Sequence, residues 1–134
     1  MAVFNAMTIT VDVEKPLTEV YDFLADPLNF ASWASGVGDA FDHQGGNDWV
    51  SVSPAGRMVY RFADRNPYGI LDHVLTPESG EPVTVPMRVV ANCEGSQIVY
   101  TLFQRPDMSD ERLKSDAEWV TSDLMALKSL LESR

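Results

Sequence analysis

Two Asp-His dipeptides, four tyrosines and a single cysteine hold most of the chemistry that this sequence offers. Asp72-His73 is the sharper dipeptide because it interrupts an apolar run, Ile70-Leu71-Asp72-His73-Val74-Leu75. Neighbours in an extended chain point to opposite faces, so a strand here turns one of the pair inward. A carboxylate or imidazole held in an apolar cavity has a shifted pKa and can act as a general acid or base. The competing reading is a surface pair, or a buried polar group tied to a neighbouring strand. Tyr60 shares a strand face with Met58 and Phe62, and Tyr100 shares one with Ile98 and Leu102. Both are expected to face inward, with Trp33 at a helix end near a cavity mouth. Aromatic walls carrying a hydroxyl suit a planar or sterol-like ligand, and the same residues serve equally as ordinary core. Arg88 can grip a carboxylate bidentately, but its alternation with Val89 puts it on the solvent side.

The remaining motifs carry less. Asp42-His43 lacks the three or four converging ligands that a metal needs, and no HExxH spacing is present. No metal or other cofactor is called for. Gly36-Val37-Gly38 has no following GK[ST] and reads as a helix terminator. Cys93 stands beside Glu94, which disfavours a thiolate. Ser, His and Asp are all present, but no GxSxG context holds them as a hydrolase triad.

The elements that must position these groups follow from periodicity. Thr8 to Val13 alternates polar and apolar residues as a half-buried strand. Pro16 opens a short helix with Val20, Tyr21 and Leu24 on one side, and Asp26-Pro27 opens a second with Phe30, Trp33 and Ala34. From Asp39 to Arg105, turns at Gly45-Gly46-Asn47, Ser53-Pro54-Ala55-Gly56, Arg65-Asn66-Pro67, Glu78-Ser79-Gly80 and Glu94-Gly95-Ser96 separate strands rich in Val, Tyr, Phe and Ile. Pro86 has no amide hydrogen and belongs at a strand start, an edge or a bulge. Ser109 caps a final helix, 110 to 132, whose stripe of Leu113, Ala117, Val120, Leu124, Leu127 and Leu131 must lie on the sheet.

The chain has 134 residues, the length of one domain, 1–134, with 1–6 expected as a loose extension if Met7 is the true start. Ten Lys and Arg against 20 Asp and Glu give a net charge of -10. That balance argues against nucleic acid and anionic membranes, which need a basic face. No run approaches the ~20 apolar residues of a membrane span, and no secretory signal is visible, so the cytoplasm is expected. A monomer and a homodimer both fit the sequence.

The order strand, two short helices, a meander and a long helix resembles the helix-grip fold of the SRPBCC superfamily. That superfamily includes START lipid-transfer domains, birch-pollen-allergen-like proteins, and the polyketide cyclase/dehydrase and heat-shock-ATPase-activator branches. The likeness runs from Met7 to Glu132. Val20-Tyr21-Asp22-Phe23-Leu24-Ala25-Asp26 with Phe30 and Trp33 is similar to the opening helices. Asn66 to His73 (NPYGILDH) and Val85 to Val90 (VPMRVV) look like a polyketide-cyclase-like bacterial branch. The resemblance implies an α+β fold with a curved antiparallel sheet of about seven strands around the C-terminal helix and an apolar cavity between them. It implies a small hydrophobic or aromatic ligand, lipid- or polyketide-like. Trp33, Tyr60, Asp72, His73 and Tyr100 are the expected contacts, and Asp72 and His73 the candidate acid/base groups. The alternatives are a polyketide cyclase/aromatase-type enzyme and a protein-interaction domain whose cavity side chains fill.

Overall fold

β1 (Ala6–Val13) follows the predicted alternation, with Val11 and Val13 buried and Thr10 and Asp12 outside. The computed structural model describes residues 2–38, 40–54 and 56–134, so Met1, Asp39 and Ala55 of the expected extension, meander start and turn lie outside the described residues. β1 starts earlier than a loose segment 1–6 allows. Ala6 pairs with Phe103, and the Asn5 carbonyl accepts the Gln104 N–H at 2.8 Å.

Pro16 stands one residue before α1 (Leu17–Leu24), whose Val20, Tyr21 and Phe23 face the core. Asp26 then caps a 3-10 helix, Pro27–Ser32, by accepting the Leu28 N–H at 3.0 Å. The proline at its first position is pre-set for helical φ and lacks an amide hydrogen that no carbonyl there would accept.

The meander supplies β2 (Ala40–Gly45), β3 (Asp48–Ser53), β4 (Gly56–Phe62), β5 (His73–Pro77), β6 (Val83–Val85), β7 (Met87–Asn92) and β8 (Gly95–Phe103). All pairings are antiparallel, in ladders ordered β2-β3-β4-β5-β6 and β1-β8-β7. Among the described residues eight strands stand where about seven are expected, because Pro86 splits one of them. β6 pairs with β5 before the proline and β7 with β8 after it, while the Pro86 carbonyl still accepts from Thr101 at 3.0 Å. The strand is therefore interrupted, and changes ladder, at a residue unable to donate.

α2 (Asp110–Glu132) closes the fold, capped by the Ser109 hydroxyl, which accepts the Arg112 N–H at 3.0 Å. Leu124, Leu127 and Leu131 are wholly buried in one cluster with Val13, Val20, Val89 and Ile98. Leu113 and Val120 are only half-buried, so the expected stripe thins towards the N-terminal end of the helix. The other end is tied down. Lys128 Nζ donates to the Asp12 carbonyl at 2.7 Å, the Glu14 N–H donates to Glu132 at 2.8 Å, and Lys15 Nζ donates to the Arg134 carbonyl at 2.8 Å. Among the described residues no helix is long and apolar enough to cross a membrane.

Candidate functional site

The run Ile70–Leu75 is not one strand. β5 begins only at His73, because Asn66 organises the preceding residues into a loop. Asn66 Oδ1 accepts the N–H groups of Tyr68 and Ile70, both at 3.0 Å, and its Nδ2 donates to the Asp64 and Ile70 carbonyls, both at 2.9 Å. An asparagine can satisfy loop backbone in this way where a ladder cannot form. Gly69 then adopts φ +73 and passes so close to β7 that a Cβ there would lie 2.3 Å from the Val89 carbonyl oxygen. The closeness permits two bonds, Val89 N–H to the Gly69 carbonyl at 3.0 Å and Leu71 N–H to the Met87 carbonyl at 2.8 Å.

Asp72 fastens the same loop from outside. Its carboxylate accepts from Arg88 Nε and Nη2 at 2.9 and 2.8 Å and from the Met87 N–H at 2.9 Å. The Arg88 guanidinium is the main reason its pKa lies below the ordinary carboxylate value. Asp72 is thus turned away from the interior and already fully engaged. The expectation that it contacts a ligand or moves a proton there is corrected by this ion pair, and Arg88 stays on the solvent side as its alternation requires.

His73 takes the inward place. It is buried between Phe30 and Phe62, with ring centroids 6.0 and 5.8 Å away. Nδ1 lies 3.0 Å from the Leu71 carbonyl, and since a carbonyl only accepts, Nδ1 carries the proton. Burial pushes the His73 pKa below 6.5, opposed more weakly by the Leu71 bond and by the Asp72 charge. A depressed histidine contributes stability that is complete above the unfolded value and lost as pH falls beneath it, because the unfolded chain binds the proton first. Denaturant midpoints are therefore expected to be level above pH 6.5 and to fall below it. His73→Phe should flatten the profile just below pH 6.5, whereas the Asp72 contribution is lost only in stronger acid. An unchanged slope in that variant would contradict this assignment.

His73, Trp33, Tyr60 and Tyr100 surround one void of about 160 Å³, bounded also by the 3-10 helix and by α2. Of the expected contacts, Asp72 alone is left out of it. Trp33 is buried in the wall rather than standing at the mouth, and Phe30 packs edge-on against it at 5.2 Å. The mouth lies between Gly36 and an exposed Trp119, where Ser35 donates from its hydroxyl to Asp123 at 2.7 Å. Trp119 and Asp123 escape the periodicity argument because they sit beside the apolar stripe, not on it. Their spacing of one helical turn places both on one flank, and that is the signal that points to them. The Tyr60 hydroxyl is reached by Ser51 at 3.5 Å. The Tyr100 hydroxyl is pushed up to about 12, first by burial and then by Asp123 and Asp116, so it stays protonated and able to donate.

Asp42 and His43 lie exposed on β2, with His43 Nε2 2.8 Å from the Gly46 carbonyl. A larger groove of about 530 Å³, between Asp12–Pro16 and Asn92–Ser96, is a surface depression lined mainly by polar and charged residues.

The element order, the meander and the gripping helix define a helix-grip fold with a small aromatic-walled cavity. Solved structures agree on that fold. Ara h 8.0201 is similar at a TM-score of 0.71 and 12% identity over 98% of this chain and 100% of that one. DynU16, a protein of the dynemicin biosynthetic locus, is similar at 0.71 and 16% over 95% of this chain, which spans 47% of DynU16. CalU16 from Micromonospora echinospora is similar at 0.69 and 15%, over 94% of this chain and 73% of that one. No protein-family model and no curated protein matches the chain.

Proposed function

We propose that this protein binds a small, flat, mostly apolar molecule in the cavity between the 3-10 helix, α2 and the sheet. The supporting observation is the void itself, about 160 Å³ walled by Trp33, Tyr60, Leu75, Tyr100 and Val120. An occupant of this partly open pocket gains dispersion contacts with its aromatic walls and displaces water from them. Size narrows the occupant. An apolar cavity of about 150 Å³ takes benzene, whereas drug-sized ligands occupy about 300–1,000 Å³. The ligand is thus a one- or two-ring molecule, or one ring of a longer lipid- or polyketide-like molecule whose remainder leaves past Trp119. The setting we propose is the cytoplasm, where the exposed Cys93 stays reduced.

Native mass spectrometry of the purified protein is expected to find a bound small aromatic molecule. Val120→Phe, which puts a ring into the void from α2, should abolish its retention while leaving the fold intact. Undiminished retention in that variant would place the ligand elsewhere.

A cyclase/aromatase-type enzyme is the second reading, favoured by a neutral imidazole beside the cavity. It now rests on His73 alone as candidate base, and turnover of a poly-β-ketone that is lost in His73→Phe would decide for it. The interaction-domain alternative expects a cavity too small for a drug-sized ligand, and a void of about 160 Å³ is compatible with it.

A further inference from the structure

The polar atoms left over around the cavity specify its ligand further. His73 Nδ1 is committed to Leu71, and Nε2 has no partner among the described residues. No fully enclosed side-chain nitrogen or oxygen among the described residues lacks a partner, so Nε2 borders open space, and of the two pockets that His73 lines, about 160 and 20 Å³, only the larger has room for a ring. The Tyr100 hydroxyl likewise borders open space, and Tyr100 lines the void. Nε2 of a neutral imidazole bonded through Nδ1–H offers a lone pair and no proton, so its partner must donate. The Tyr100 hydroxyl has a proton to give to an oxygen or nitrogen on the occupant.

Charge narrows the choice again. The walls include no lysine or arginine, and the one charged group at the mouth is Asp123. An anionic head would lose its hydration there and meet a carboxylate, with no cation in compensation.

Resting on the binding reading above, we propose that the cavity selects an uncharged aromatic ring bearing a hydroxyl or N–H donor, of the phenol class, which donates to His73 Nε2, and that it rejects ring carboxylates. An aliphatic stopper of equal volume would leave Nε2 unpaired, and unmet buried acceptors are costly.

Calorimetric titration of the full chain with toluene, phenol and benzoate tests this. Phenol and toluene are expected to bind, with benzoate at least about tenfold weaker than phenol. In His73→Phe the ratio of phenol to toluene affinity should fall about tenfold, with toluene itself little changed. The native protein gives a second readout, since the His73 Nε2 nitrogen resonance should move on adding phenol and stay put on adding toluene. An unchanged ratio in the variant, an unmoved resonance, or benzoate binding as tightly as phenol would overturn the proposal while leaving the cavity a binding site. If neither toluene nor phenol binds, the binding reading falls and takes this proposal with it.

Discussion

Leu124→Ala is expected to lower the unfolding free energy by about 2–5 kcal/mol, the usual range for emptying a buried leucine site. Leu124 is 1% exposed, and its side chain sits in the cluster that joins α2 to Val20, Val89 and Ile98. Those neighbours belong to a helix and two strands fixed by their own ladders, so the surroundings have little freedom to collapse into the hole. The loss should appear in urea as a lower midpoint at unchanged slope. Leu113→Ala, at the half-buried end of the same stripe, should cost clearly less. Equal losses at both positions would mean that the helix does not grip the sheet in this register.

Gly69→Ala should be the most damaging glycine substitution in the site region, at about 2–4 kcal/mol from the combined strain and clash. Alanine would have to hold φ +73 while its Cβ met the Val89 carbonyl oxygen at 2.3 Å. Backbone cannot swing aside as a side-chain tip can, so the loop must lift off β7. The Leu71 carbonyl would then lose its position and His73 its tether, so ligand binding should weaken along with stability. Gly36 at the mouth is the control. Nothing lies within 4 Å of a Cβ built there, and its replacement by alanine should change stability by no more than about 0.5 kcal/mol. A tolerated Gly69→Ala would show that the loop does not depend on this close approach.

Much of the architecture was legible from one-dimensional pattern. Alternation put Tyr60 and Tyr100 on inner faces, and the final stripe fixed α2 to its observed limits, because burial on one side of a regular element leaves a period in the sequence. Asp72 and His73 were legible only as a pair. Their opposite fates depend on Arg88, which is separated from them in sequence and brought beside Asp72 by the close approach of the loop to β7. The break at His73 was hidden because Ile70-Leu71 is as apolar as any strand, while the Asn66 side chain that replaces the ladder leaves no periodic trace. Trp119 was missed because an aromatic residue on the polar flank of a helix reads as solvent-exposed until the opposite wall of a mouth is known.

The uneven fastening of α2 has a mechanical consequence. Its last turns are held by Lys128, Glu132 and Lys15 to β1 and the residues that follow it, while nearer the mouth the Ser35–Asp123 bond joins the 3-10 helix end to it. The helix is a lever with its fulcrum near Lys128. At 1.5 Å of rise per residue, a tilt of about 5° displaces Trp119 by about 1 Å and the Leu113 end by about 2 Å. The same tilt moves Asp123 and its neighbour Leu124 almost equally, by about 0.5–0.7 Å, so the Ser35–Asp123 bond and the near edge of the leucine cluster are loaded together. The helix is thus tied most densely at the end away from Trp119.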